Sequence, residues 1–583
     1  MSGSPRSEQF DDIYFAVEDG LEETKHVFLA GNGLPGRWEG HDNFTIAETG
    51  FGTGLNFLSA WECFERTAAP HQKLNFISFE KYPLSAAQIA EYLAHWTPQI
   101  GPYLKRLVEV YPARVTGWHK IHVTDRVTLL LIFDEVNRAL PELDHPVDAW
   151  FLDGHAPAKN PDMWSDLVFA SMRRLSAPGA TIATFTAAGI VKRGLASAGF
   201  KVTKCRGFGR KRDMLTGVQM EGTNTREKPQ VRSVAVIGGG LAGTAAAYTL
   251  KQAGLAVTIF EKVQLAEGAS GNPVGLFNPR FSAKRSVDSD LYGSAYALAL
   301  RTFKTIDDIG YAPSGSLHLV TDEEKAAKFS ALLENWGWHP DHLVQLDAAQ
   351  ASEVAGVPVP VAALYLPDAG SVSPQKLCAA YAKDIAVRNE EVDSLTSIEN
   401  KWDVNGSPFD AVVIANGAEC LKFSQTKDLP VATVRGQISF APATAVTEKL
   451  KANLCYGGYC SPGIAGRHVI GSTFQPWLTE TSLRDEDHGR IIAGLEEAVP
   501  ALAGEMKVDG GRAALRVAAK NRAPIGGQVG PEFPHLYIST AHGSHGLLTS
   551  LVIAEQIASE ISGAPQALPG SVLRHISPAR FKK

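Results

Sequence analysis

The chain has 583 residues, more than one hydrophobic core usually serves, so two or three domains are expected. Its 44% hydrophobic content and 54 glycines are globular values, and no apolar run approaches the ~18 to 20 residues of a membrane span. The net charge of -6 gives no global sign of a nucleic-acid binder, and six cysteines without a C-x-x-C pair argue against a zinc site or disulfide framework and for a reducing compartment.

The opening MSGSPRSEQFDD has neither an apolar core nor a basic leader, so the expected location is cytoplasmic. The first informative stretch is FTIAETGFGTGLN, residues 44 to 56. Phe44 to Ala47 reads as a strand closed by Glu48, and Gly50, Gly52 and Gly54 make E-x-G-x-G-x-G before a helix of Leu55, Phe57, Leu58 and Trp61. Three alternating glycines fold around an adenosyl group without cradling a pyrophosphate, and Glu48 at the loop entrance is placed to face a cationic sulfonium. The next strand, Leu74 to Phe79, ends at Glu80, positioned at a strand's C-terminal edge to accept hydrogen bonds from a ribose diol. This pattern resembles a class I S-adenosylmethionine-dependent methyltransferase.

Further along, the strand Val127 to Phe133 is followed by Asp134 and Glu135, within reach of an adenine amino group. Ala149 to Leu152 then runs into Asp153, and an acid where a central strand ends is where an open α/β sheet places its chemistry. Helices over 162–175 and 188–198 and strands over 181–185, 201–205 and 215–220 bring the expected count to seven strands. Residues 200 to 232 hold nine Lys or Arg against three acids, a run that reads either as a solvated linker or as a phosphate-contacting patch. EGTNTREKPQVR (221 to 232) is polar with no hydrophobic period, which sets domains at 1–222 and 233–583 with 223–232 as the linker.

The second domain opens with VAVIGGGLAGTAAAYTLKQAGLAVTIFEK, residues 234 to 262. Val234 to Ile237 predicts a buried strand, Gly238, Gly240 and Gly243 give G-x-G-x-x-G ahead of a helix over about 244 to 253, and Val257 to Phe260 predicts a second strand ending at Glu261. Gly238 makes a tight turn, Gly240 lets backbone N–H groups approach a pyrophosphate, Gly243 packs helix on strand, and Glu261 takes ribose hydroxyls. Residues 322–336 read as a surface helix, 410–418 as a returning strand, and 432–440 and 453–474 as parts of a substrate sheet. HLYISTAHGSHGLLTSLVIAEQIASEI (535 to 561) reads as strand, glycine-flanked turn and helix. The helix start near Leu547 presents N–H groups and positive dipole to a flavin's N1/O2 edge, which favours FAD over NAD.

In this order, YFAVEDGLEETKHVFLAGNGLP (14 to 35), ETGFGTGLNFL, FLDGHAPAKNPDMW, GFGRKRDML (207 to 215) and the second fingerprint resemble the family of bifunctional tRNA 5-methylaminomethyl-2-thiouridine biosynthesis proteins, over nearly the whole chain. The DG-x-APAKNPDMW and GFGRKR-x-ML strings are long and not imposed by generic fold physics. The resemblance implies an α/β plus α+β architecture: an N-terminal class I Rossmann-like methyltransferase, then an FAD-binding Rossmann domain with a mixed-sheet substrate subdomain. It implies FAD and S-adenosylmethionine as cofactors and the wobble uridine of tRNA as substrate; together with the composition, the expectation is a monomer with no membrane partner and no metal. An FAD reaction removes the carboxymethyl group from a 5-carboxymethylaminomethyl side chain, and the methyltransferase then methylates the exposed amine.

On that resemblance Asp153 is the base of methyl transfer, Glu135 the adenine acid, and Arg516 the cation for the substrate carboxylate, with Tyr456 or Tyr459 lining the same pocket. Gly543, Ser544, His545, Gly546 and Leu547 follow the family's flavin-binding turn, and Arg206, Arg210, Lys211 and Arg212 would hold tRNA phosphates. The chain departs from the family pattern in three places: Asp134-Glu135 stands where Gly-Asp is usual near the adenine, His545 where an arginine is usual, and Asn521 where an aspartate is common. Two other readings stay open: a small-molecule amine oxidase fused to an unrelated methyltransferase, and a tRNA-binding methyltransferase with a structural flavin domain.

Overall fold

The computed structural model describes residues 6–7, 9–10, 12–14, 19–209, 211–220, 222, 224 and 231–582. The chain divides into two compact units, Met1–Lys228 with Gly563–Gly570, and Pro229–Ser562 with Ser571–Lys583. Linker positions 223 and 225–230 lie outside the described residues, as does Arg210. Gly563–Gly570, inside the range read as the second domain, packs with the first unit. There Gln566, 6% exposed, accepts from the Asp144 N–H (2.6 Å) and donates to the Glu142 carbonyl (3.0 Å), a backbone tie that no local sequence pattern announces. Among the described residues no helix is long and apolar enough to cross a membrane.

The first unit is an eight-stranded sheet of β1 (Asn43–Thr49), β2 (Lys73–Glu80), β3 (Gly117–His122), β4 (Val127–Phe133), β5 (Val147–Phe151), β6 (Ser176–Thr184), β7 (Phe200–Arg206) and β8 (Asp213–Gln219), in the order β3-β4-β2-β1-β5-β6-β8-β7. The five strands from β4 to β6 are parallel, and each edge is closed by antiparallel pairing. Helices cover both faces of a parallel sheet, which explains why β1 and β4 are buried along nearly their whole length. The strand absent from the sequence reading is β3: GWHKIH has no apolar alternation and joins by its backbone to β4 at the edge. β1 leads through α1 (Leu55–Thr67) to β2 on one side, while β5 lies on the other, so the topological switch falls between the C-terminal ends of β1 and β5. Crevices at such a point are where open α/β sheets bind ligands.

The second unit has two large sheets. In the first, 386–389, β10 (Ala256–Glu261), β9 (Ser233–Ile237), 411–414 and 536–540 are parallel neighbours in that order, with 525–528 antiparallel at the end. The helix α2 (Leu241–Gln252) begins earlier than expected, with Gly240 as its N-cap. This puts Gly243 in its first turn, where a Cβ would meet the Gly238 carbonyl oxygen at 1.8 Å. The second sheet is mixed and eight-stranded, and its final members are 459–460, β12 (Arg467–Gly471), β11 (Val431–Pro442) and β13 (Gly510–Ala519). A 13-residue connection carries β12 into α3 (Asp485–Ala498), and α4 (Gly546–Ser562) returns the chain to the first sheet of this unit.

Candidate active sites

A cavity of about 610 Å³ opens at the C-terminal ends of β1, β2, β4 and β5, with Gly50, Gly52, Glu80, Asp134, Glu135 and Asp153 on its wall. Gly50 has φ of 119°, and a Cβ there would sit 2.8 Å from the Asp153 carbonyl oxygen, so the loop requires glycine. Gly54 is off the wall: at φ 78° it caps α1, and a Cβ would strike the Phe51 ring at 2.7 Å. Glu80 joins the loop to its own strand end, accepting from the Gly52 N–H through Oε2 and the Tyr82 N–H through Oε1, both at 2.8 Å. Glu135 pairs with Lys81 at 2.8 Å beside Asp134.

Glu48 departs from expectation. It is 0% exposed, lies off the cavity wall between the sheet and α1, and accepts from Asn56 Nδ2 (2.8 Å) and Ser78 Oγ (2.6 Å). Facing a sulfonium is therefore not its role. Burial, reinforced by the nearby Asp153 charge, holds its carboxyl well above the usual range. The same Asn56 amide donates to Asp153 Oδ2 at 2.7 Å, and its oxygen accepts from Thr24 Oγ1 at 2.9 Å. Burial raises Asp153 to about 6, while the Asn56 hydrogen bond and the Lys211 charge pull the other way. Asn56 was missed in the sequence; its signal is a polar residue in the first turn of a helix among buried Leu55, Phe57 and Leu58.

The basic cluster is divided. Lys211 reaches the cavity wall, pairs with Glu23 at 2.7 Å and lies 4.5 Å from the Phe185 ring centre, whereas Arg206 and Arg212 are exposed near the ends of β7 and β8.

In the second unit a cavity of about 710 Å³ runs along the ends of β9, β10, 411–414 and 536–540 to the mixed sheet. Gly238, Gly240 and Glu261 line it, while Gly243 lies behind it as a helix-packing residue. Glu261 accepts from the Gly239 N–H (2.7 Å) and the Val263 N–H (3.0 Å). Gly543, Ser544, His545, Gly546 and Leu547 also line the cavity, so α4 begins at its wall and directs N–H groups into it.

Arg516, on β13 opposite Val434 of β11, forms another part of this wall. Its guanidinium occupies the space over Gly436, where a Cβ would lie 2.6 Å away, and donates to Ser472 Oγ (2.8 Å) and the Thr473 carbonyl (3.3 Å). Burial lowers its pKa, a cost to the cation that an incoming carboxylate relieves. Tyr459 shares this cavity, whereas Tyr456 lines an adjoining cleft. Asn521 is exposed and off the wall, accepting from the Ala523 N–H at 3.3 Å. His545, packed edge-on to Tyr292 with ring centres 5.1 Å apart, is pushed by burial down to about 4, so it is neutral at physiological pH.

The cavity fits a flavin by its unsatisfied polar atoms. Asn278 Oδ1, His318 Nε2 and Asn416 Oδ1 are buried without a hydrogen-bond partner and belong to residues of this wall. Donors and acceptors on a heteroaromatic ring edge would satisfy them.

An adenosyl-type loop over an elevated carboxylate, and a dinucleotide loop beside a mixed substrate sheet, define a methyltransferase joined to a flavin-dependent oxidoreductase. Residues 98–220 match the S-adenosyl-L-methionine-dependent methyltransferase family, and residues 233–560 match the FAD dependent oxidoreductase family. The chain is 39% identical to the tRNA 5-methylaminomethyl-2-thiouridine biosynthesis bifunctional protein MnmC of Methylobacillus flagellatus, over 99% of this chain and 94% of the relative. It is 38% identical to the MnmC of Chromobacterium violaceum, over 100% and 96% respectively. Among solved structures, glycine oxidase from Geobacillus kaustophilus is 25% identical and superposes with a TM-score of 0.52, covering 60% of this chain and 100% of that one. The chain belongs to the MnmC family of bifunctional enzymes, with FAD and S-adenosylmethionine as its cofactors.

Proposed function

We propose that this enzyme modifies the wobble uridine of tRNA in the cytoplasm in two steps. The flavin unit converts 5-carboxymethylaminomethyl-(2-thio)uridine to the 5-aminomethyl form, and the methyltransferase unit methylates the released amine. The observation that carries this reading is the complementary charge of the two cavities: a half-buried arginine in one and a carboxylate raised to about 6 in the other.

In the flavin unit Arg516, held in place by Ser472 and Thr473, binds the carboxylate of the carboxymethyl group and orients the carbon between it and the amine. The Gly238–Gly240 loop, Glu261 and the start of α4 would hold FAD, which would supply the two-electron oxidation of that carbon–nitrogen bond by hydride abstraction. The substrate is left as an imine, and water adds to release glyoxylate and the primary amine. His545 adds no positive charge to this pocket near neutral pH.

In the methyltransferase unit the obstacle is protonation. An alkyl amine with a pKa near ~10.4 costs roughly 4 to 5 kcal/mol to deprotonate at pH 7. Asp153, elevated yet largely ionised at that pH, accepts the amine proton while holding the nitrogen for in-line attack on the sulfonium methyl. Gly50, Gly52, Glu80 and Glu135 contact S-adenosylmethionine; Glu80 and Glu261 each keep acceptor capacity for ribose hydroxyls beyond the two backbone N–H groups they already take. Arg206 and Arg212 meet tRNA phosphates, and Lys211 tunes Asp153.

Mass spectrometry of the wobble nucleoside after incubation with each cofactor singly tests the scheme. FAD alone should yield the 5-aminomethyl nucleoside from the carboxymethylated tRNA, and S-adenosylmethionine alone should add one methyl group only to tRNA that already carries the amine. An unaltered nucleoside in both incubations would refute it.

A further inference from the structure

Two aromatic rings of the second unit stand in water on a loop that is anything but loose. Trp477 is 71% exposed and Phe474 56% exposed, both within the connection from β12 to α3. That connection is fastened from beneath by Arg435, whose side chain is 0% exposed. Arg435 donates to Gln475 Oε1 (2.7 Å), Asp487 Oδ2 (2.6 Å), Gln437 Oε1 (2.9 Å) and the carbonyls of Glu480 (2.9 Å) and Ser482 (2.6 Å). All five contacts hold either the connection, its end in α3, or the neighbouring position of β11. Burying a guanidinium is costly unless its donors are satisfied, and here the outcome is a rigid mount for two rings that bury little of themselves.

The mount adjoins the flavin cavity. Phe474 and Trp477 border a cleft of about 480 Å³ whose wall includes Gly457, Gly458 and Ser472, and these three residues also line the flavin cavity. Ser472 is one of the two residues that hold Arg516, and two residues further on the platform begins. The cleft has one cation, Arg490, already ion-paired with Glu486 and Asp487, and one acid, Glu497, so it offers no charge excess to select a phosphate. What it offers is ring faces.

Resting on the function proposed above, we infer that this cleft is a nucleobase subsite: with the modified uridine in the flavin cavity, a neighbouring unpaired base of the anticodon loop stacks on Trp477 and Phe474. Single-stranded RNA is recognised in this way, by unstacked bases laid on exposed aromatic side chains.

The test uses the FAD-loaded full chain. Binding of a labelled anticodon stem-loop and anaerobic bleaching of the flavin by carboxymethylaminomethyl tRNA are measured for wild type, Trp477→Ala, Phe474→Ala and Trp477→Phe, with flavin content as the folding control. Trp477→Ala should weaken stem-loop binding and raise the half-saturating tRNA concentration about tenfold, with Trp477→Phe recovering most of the loss. The same variant should leave the concentration dependence for the free modified nucleoside, which has no neighbouring base, unchanged. Equal tRNA dependence in wild type and both alanine variants would remove the subsite while leaving the function standing. A wild-type flavin that no tRNA bleaches would remove the function and the subsite together. Loss of a dimer on sedimentation of Trp477→Ala, with tRNA binding intact, would assign the rings to a second copy of the chain and overturn the inference.

Discussion

The two units solve one problem with the same device. In each, a carboxylate at the end of the second strand of the glycine-loop βαβ unit takes one N–H from that loop and one from the residue two positions after itself: Glu80 with Gly52 and Tyr82, Glu261 with Gly239 and Val263. The nucleotide-binding frame is common to both. What separates them is the ionisation of the remaining wall, a carboxylate raised to about 6 over a buried Glu48 in the first unit, against Arg516 and a neutral His545 in the second. On the proposed function the shared part would bind a nucleoside and the unshared part would decide the reaction, so substitutions in the two classes should behave differently.

The largest effect is expected where the unshared part of the first unit is removed. Asp153→Ala should lower methyl transfer by about 10²- to 10⁴-fold while the flavin reaction on the same tRNA proceeds normally. Near-normal methylation would withdraw the base assignment. The counterpart in the second unit is Arg516→Met, which should reduce kcat/KM for the carboxymethyl substrate by about a hundredfold and leave methylation of the free amine alone. An Arg516→Met enzyme as efficient as wild type would show that the substrate carboxylate lies elsewhere.

The shared part should answer in a smaller and symmetrical way. Glu80→Gln should weaken S-adenosylmethionine binding by about tenfold without affecting FAD, and Glu261→Gln should do the converse, as read by equilibrium binding of each cofactor. A variant that weakens both cofactors would contradict the independence of the two frames.

How much of this was legible before any coordinates follows the same division. Both frames could be read because glycine spacing, a preceding strand and a terminal acid are local in sequence; the strands around Glu48, Glu80 and Glu261 fall where the pattern predicts. Strand β3 was not legible, since its buried positions include His119 and Lys120 and no apolar period marks it. The sulfonium-facing role of Glu48 failed for a related reason. Which face of β1 looks into the cavity depends on how α1 packs, and the α1 residue Asn56 engages the Glu48 carboxylate below the wall. Gly54 read as part of the adenosyl loop because motif spacing does not distinguish a glycine touching a ligand from one that lets a helix pack close. The partner of Asn56 and the Arg435 mount could not be seen at all: both depend on residues brought together from distant segments, Asp153 for one and Gln475, Glu480, Ser482 and Asp487 for the other.

The smallest effect near the pH optimum, and the most diagnostic of the first unit, belongs to Asn56. Asp153 must be ionised to take a proton, so methyl transfer should rise with pH through about 6, well apart from the limb of the substrate amine near ~10.4. Asn56 donates to the charged form of Asp153 and so lowers its pKa. Asn56→Ala removes that donor; the Asp153 pKa then moves up, the ionised fraction at neutral pH falls, and the rising limb shifts to higher pH while much of the plateau rate is retained. The pH profile of methyl transfer under single-turnover conditions reads this directly. A purely structural role for Asn56 would lower the rate at every pH and leave the limb in place, whereas Glu80→Gln, which acts on the nucleotide frame, should change cofactor affinity without moving the limb.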